Sequence, residues 1–129
     1  MHKIALAISL LALTDASALA QDASAYDGKW AATFVNPAGR ENAAEVTISD
    51  AGGTWRDIDR RNERKVDKCN GKEFPIDVKA RSAAKIVFRV AASTVLRECR
   101  DRHVTLRPVD GKSLEGTFAD GRSIRLTRQ

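Results

Sequence analysis

The chain has 129 residues, with 22 Lys and Arg against 17 Asp and Glu, and a formal net charge of +5. That length makes one domain. Beyond the first twenty positions no apolar run approaches the ~20 residues a membrane helix needs. With one histidine, His103, after the first twenty residues and only two cysteines, which read as a pair, the chain does not offer the three or four ligands of a zinc centre.

Met1-His2-Lys3 opens the chain, an apolar run follows from Ile4 to Leu13, and Ala18-Leu19-Ala20 has the small-x-small form of a signal peptidase site. Residues 1–20 therefore read as a signal peptide, cut after Ala20, with Ala18 and Ala25 as further sites of the same form. This leaves a single domain, residues 21–129, in the periplasm or the medium. A domain of this size buries a modest share of its surface and calls for a staple. In an oxidising compartment Cys69 and Cys99 read as a disulfide, and their spacing is not that of a C-x-x-C redox motif.

Tyr26 to Trp30 opens the fold. Trp30, Ala32 and Phe34 alternate with Ala31, Thr33 and Val35 in a first strand, and Asn36-Pro37-Ala38-Gly39 is a turn. Ala44, Val46 and Ile48 mark a second strand. Asp50 to Gly53 leads into a third, Thr54 to Arg60, with Trp55 inward. From Asp57 to Lys72 the chain is nearly free of apolar residues, which reads as a strand end followed by a long charged loop fastened at Cys69. Phe74, Ile76 and Val78 form a fourth strand, in which Pro75 implies an edge position or a strand start. Ala80 to Ala83 turns the chain, and Ile86, Phe88 and Val90 form a fifth strand. Ser93 to Glu98 is one helical turn with Ser93 as N-cap, or a bulged loop.

The last stretch holds three alternating segments separated by Asp110-Gly111 and Asp120-Gly121, pairs suited to two-residue type I′ hairpin turns. Val104, Leu106, Leu114, Phe118, Ile124 and Leu126 share a dry face. His103, Thr105, Arg107, Ser113, Glu115, Thr117, Ser123, Arg125 and Thr127 share a wet one. The whole is an all-β domain of about eight short antiparallel strands, either an up-and-down small barrel of calycin type or a two-sheet sandwich. Its interior is either filled by side chains or leaves room for one small ligand. Trp30 and Trp55 read as core rather than as sugar-stacking platforms.

Gly28-Lys29-Trp30 on the first strand resembles the G-x-W opening of lipocalin-like (calycin) barrels. The resemblance implies that Trp30 closes the barrel base and that a late arginine, Arg125 or Arg128, covers it. The order D-G-x-W, C-x-G-x-x-F-P and L-x-G-x-F-x-D-G-R-x-I-x-L resembles uncharacterised exported bacterial β-domain proteins and implies no mechanism.

No catalytic constellation stands out. His103 is the one histidine after the signal segment, it lies on the wet face, and no G-x-S-x-G or Cys–His arrangement surrounds it. Asp57-Ile58-Asp59 lacks the D-x-D-x-D-G continuation of a calcium loop. No acid sits in an apolar stretch that would fit it for a glycosidase pair. The reading is non-enzymatic, with no metal and no cofactor.

Charge carries the remaining signal. Arg56, Arg60, Arg61, Arg64, Lys65, Lys68 and Lys72 outnumber Asp57, Asp59, Glu63 and Asp67, and Arg97, Arg100 and Arg102 flank Cys99. A disulfide joins these into one basic surface built from Arg60, Arg61, Arg64, Lys65, Lys68, Arg97, Arg100 and Arg102. Such a surface fits an anionic glycan, lipopolysaccharide or an acidic protein partner. The bland alternative is a solvated loop whose acids pair off locally. Specific nucleic-acid binding is not indicated, because the loop has no interleaved aromatics for base stacking. Two other functions stay open: a calycin-like carrier of a small apolar ligand, and an inhibitor of a hydrolase such as lysozyme.

Overall fold

Alternation of large apolar and small polar side chains carries every strand. The computed structural model describes residues 25–58 and 68–129. The strands are β1 (Gly28–Val35), β2 (Glu41–Ser49), β3 (Gly52–Ile58), β4 (Glu73–Arg81), β5 (Ile86–Val90), β6 (Arg102–Asp110), β7 (Ser113–Phe118) and β8 (Ser123–Arg128), with a 3-10 turn at Ala92–Thr94. Each strand pairs antiparallel with the next, and β8 returns to β1 from Trp30↔Arg128 to Phe34↔Ile124. The molecule is thus a closed up-and-down barrel and not a sandwich. Closure pairs every strand on both sides, which removes the exposed edges a sandwich leaves.

The inward positions form one core. Trp30, Ala32, Phe34, Val46, Ile48, Trp55, Phe74, Phe88, Val104, Leu106, Leu114 and Leu126 are all buried. Trp55 sits among Phe34, Phe88 and Phe118 with ring centroids 5.9, 6.4 and 6.3 Å away. The edge-on contact with Phe118 and the tilted ones with Phe34 and Phe88 add to the gain from area burial alone. No described helix is long and apolar enough to cross a membrane.

Several local expectations need correction. Neither Asp110 nor Asp120 has positive φ, so these hairpins are not type I′ turns. Each aspartate instead accepts a hydrogen bond from the N–H two residues on, Lys112 at 2.7 Å and Arg122 at 3.1 Å. This side-chain closure competes successfully with the left-handed pair. Gly121 alone takes the positive φ, +92°, in a loop bridged by Phe118 N–H to Arg122 O. Ser113 keeps its place on the outer face but is buried there, because the Arg125 guanidinium lies over it. β4 continues to Arg81 rather than turning at Ala80, through an irregularity between Val78 and Ala80. Pro75 is the third residue of β4, a strand start; a closed barrel has no edge to offer it. Ser93 lies inside the 3-10 turn and does not cap it; Ala91 holds the cap position without a side-chain bond. The signal segment and the outer part of the charged loop, with Arg60, Arg61, Arg64 and Lys65, lie outside the described residues.

The two ends of the barrel differ. The base is sealed. Trp30 donates its indole N–H to Tyr26 O at 2.9 Å, and Tyr26, fully buried, donates its hydroxyl to Ser82 O at 2.8 Å. Burial pushes the Tyr26 phenol above its usual 10.0, against the pull of nearby Arg81. Arg128 lies 4.2 Å from the centre of the Trp30 ring and donates to the carbonyls of Ala25 at 2.6 Å and Asp27 at 2.8 Å. Arg128 is therefore the late arginine over the tryptophan, while Arg125 faces outward and pairs with Glu115.

Candidate functional site

The connections β1–β2, β3–β4, β5–β6 and β7–β8 all gather at the other end, which the described residues leave open. A cleft of about 800 Å³ lies there. Its walls come from the two turns Asn36 to Arg40 and Phe118 to Arg122, from Cys69, Asn70 and Cys99, and from Arg100 to Arg102. Phe34, Phe74, Phe118 and Ala92 give it an apolar floor. Phe34 and Phe118 reach the mouth as the last inward positions of β1 and β7, and Phe74 as the first of β4, where the barrel interior ends.

The Cys69–Cys99 disulfide is formed, with the two Cα atoms 5.8 Å apart. It ties the β3–β4 connection to the segment before β6, and Gly71 N–H adds a bond to Asp57 O at 2.9 Å. Both ends of the charged loop are thereby held at the mouth. Cys99 itself is 3% exposed and packs into the core.

The basic residues named from sequence do not behave alike. Lys68, Arg97 and Arg100 are exposed at this end, and Arg100 lines the cleft. Arg102 is not part of an open basic surface. It turns inward with Val104 and Leu106, lies 5.1 Å from the centre of the Trp55 ring, and donates twice to Asp57, at 2.6 and 3.2 Å. Asp57 also accepts the Trp55 indole N–H at 3.0 Å. A carboxylate on the same inward face as Trp55 leaves Arg102 neutralised. The bidentate geometry is the strong form of the arginine–carboxylate contact.

Two arginines that the sequence reading passes over also line the mouth. Arg122 lies 4.5 Å from the centre of the Phe118 ring and donates to Asp120 at 2.7 Å and to Val35 O at 2.6 Å. Arg40 closes the β1–β2 turn, its backbone N–H bonded to the Asn36 side chain at 3.0 Å, and its side chain is free to face the cleft. The only hint in the sequence is that Asn36-Pro37-Ala38-Gly39-Arg40 and Phe118-Ala119-Asp120-Gly121-Arg122 both place an arginine directly after a turn glycine.

Asp101 organises the β5–β6 side of the mouth. It accepts the Ser93 backbone N–H at 2.8 Å and faces Arg89 at 3.4 Å. The Ser93 backbone bond, with the Ser93 hydroxyl and Arg89 behind it, holds this carboxyl below its ordinary 3.8. A carboxyl depressed on folding adds stability above its unfolded value and loses it as pH falls through the lower folded value. Asp101→Asn is expected to weaken the protein at neutral pH and to flatten the acid limb of its stability curve below pH 3.8. Urea midpoints measured across an acid pH series check this; parallel curves for both proteins would count against it.

Among the described residues no group of three or more His, Cys, Asp or Glu is placed to hold a metal ion. His103 stands exposed on the outer face of β6.

Fold and site together define a disulfide-stapled, eight-stranded closed barrel with one sealed end and one open, arginine-rimmed end. No protein-family model and no curated protein matches the sequence. Among solved structures the chain is similar to a redesigned β-barrel, at 15% identity and a TM-score of 0.53, over 84% of this chain and 95% of that one. At that identity the likeness speaks for the barrel fold alone.

Proposed function

We propose that this protein is an exported, non-catalytic binding module that engages an anionic partner, a phosphate- or carboxylate-bearing envelope component, at the disulfide-clamped end. The observation that carries the reading is the one-sided construction of the barrel. At the base Arg128 is held against backbone carbonyls and the Trp30 ring and the exposed lysines border no cleft, whereas at the mouth Arg40 and Arg100 line a cleft and have no ion-pair partner among the described residues. The Cys69–Cys99 bridge fits an oxidising compartment. It also holds Lys68 and Arg100 close together without a packed helix or further strand. Arg60, Arg61, Arg64 and Lys65, which the sequence also offers for this role, lie outside the described residues.

The test separates a site from overall charge. Lys68→Glu, Arg97→Glu and Arg100→Glu together are expected to abolish retention on heparin or immobilised lipopolysaccharide at ~0.15 M salt, where only close or clustered charges escape screening. The same number of reversals at the base, Lys29→Glu, Lys85→Glu and Lys112→Glu, is expected to leave retention largely intact. Equal loss from both sets would reduce the effect to net charge and sink the reading.

A further inference from the structure

The cations around the mouth are not equivalent. Arg40, Arg100, Arg102 and Arg122 line the cleft with Asp57, Asp101 and Asp120. Arg102 is committed to Asp57, Arg122 to Asp120, and Asp101 to Arg89 and the Ser93 N–H. Among the described residues this leaves the guanidinium groups of Arg40 and Arg100 without an ion-pair partner. Between them the exposed apolar lining is Pro37, Ala38 and Ala119, and beneath lie the edges of Phe34 and Phe118, 5% and 3% exposed, with Trp55 in the layer below.

Each half of this arrangement is idle without the other. A surface meant only for a polyanion has no use for an aromatic floor, since a chain of charges lies along the rim. A pocket meant only for a neutral apolar molecule has no use for unpaired guanidinium groups at its edge. A cleft of this volume lies within the ordinary range for small-ligand sites, which combine an apolar lining with a few convergent polar groups. Guanidinium groups grip carboxylate and phosphate oxygens in paired, charge-assisted hydrogen bonds.

We infer that the mouth binds a small amphipathic anion, with one phosphate or carboxylate head between Arg40 and Arg100 and an aliphatic or aromatic body against Pro37, Ala38 and Ala119, above the edges of Phe34 and Phe118. The inference rests on the proposed anion-binding role of this end and names the ligand class. Arg102 serves as wall rather than as anchor. Its charge is met by Asp57, so it contributes shape and a fixed edge against Trp55.

The experiment uses the mature, oxidised protein and three probes at ~0.15 M salt: decyl phosphate below its micelle-forming concentration, decanol, and inorganic phosphate. Titration calorimetry gives affinities, and NMR follows the ring protons of Phe34 and Phe118. Decyl phosphate is expected to saturate one site and shift both rings, with the other two probes at least tenfold weaker. Arg40→Glu with Arg100→Glu, both at exposed positions, is expected to weaken decyl phosphate at least tenfold and leave decanol unchanged. Inorganic phosphate binding as tightly as decyl phosphate would overturn the amphipathic ligand while leaving the anionic reading standing. Decanol binding as tightly would overturn the charged head and the anionic reading of the mouth with it. Binding of none of the three, beside heparin retention that depends on Arg100, would overturn the inference alone.

Discussion

Gly116→Ala is expected to lower stability by on the order of 3–5 kcal/mol, a large part of the net stability of a small domain. Gly116 pairs with Leu106 on β6 and Ile124 on β8, where the strands bend around the core. A Cβ there would lie 1.7 Å from the Thr105 carbonyl oxygen, 2.7 Å from the Thr105 carbonyl carbon and 2.9 Å from the Leu106 Cα. All three atoms are backbone of the neighbouring strand, so no side chain can swing aside. Relief requires β6 and β7 to part, which breaks ladder hydrogen bonds and lifts Val104 and Phe118 off the core. Glycine at this point marks close backbone approach in a closed barrel. Gly111→Ala is the matched control. A Cβ at that turn meets nothing within 4 Å and its φ is not positive, so its effect is expected within ~0.5 kcal/mol. Urea midpoints with unchanged m-values decide the matter. A Gly116→Ala protein as stable as its parent would mean that β6 and β7 do not approach this closely.

The strands are legible in the sequence because burial on one face imposes a period of two, and Trp30-x-Ala32-x-Phe34 or Ile86-x-Phe88-x-Val90 carries that period without help from distant residues. What closes the barrel is not legible locally. The pairing of Trp30 with Arg128 spans nearly all of the described chain, and either a barrel or a sandwich satisfies the same alternation. The G-x-W opening points to a late arginine over Trp30 but leaves Arg125 and Arg128 as equals. The choice falls to Arg128 because it reaches the Ala25 and Asp27 carbonyls at the sealed end.

The mouth shows a different limit. Charge counting treats Arg102 as part of a basic surface, yet Asp57, 45 positions earlier, neutralises it. The clue lies in the alternation itself: Trp55 and Asp57 share a face, so an inward Trp55 brings an inward carboxylate that needs a partner. Arg40 carries no such signal. Its place follows from the fold, which sets two turn arginines on the cleft and leaves Arg40 without an ion-pair partner among the described residues.

Removing that bridge is the second large perturbation. Cys69→Ser with Cys99→Ser is expected to lower stability by about 3–4 kcal/mol, the chain-entropy value for cross-linking residues 30 apart. For a domain of this size that corresponds to a fall in Tm on the order of 15 °C. Beyond the global loss the effect is local in character. β4 and β5, which the bridge encloses, stay joined by their own ladder, and the sealed base depends on Trp30, Tyr26 and Arg128 rather than on sulfur. The segments freed are those at the mouth: Lys68 to Lys72 on one side and Leu96 to Arg100 on the other. Amide exchange is therefore expected to rise first at Asn70 to Lys72 and Cys99 to Arg100, with Trp30 and its neighbours protected until global unfolding. Retention on heparin is expected to fall with it, because Lys68 and Arg100 are no longer held together. A reduced protein with the Tm and the salt dependence of the oxidised one would show that the bridge shapes neither the fold's stability nor the cationic end. Loss of stability with binding intact would assign the cysteines to the barrel alone and place the anion contacts on Arg40, Arg100 and their turns.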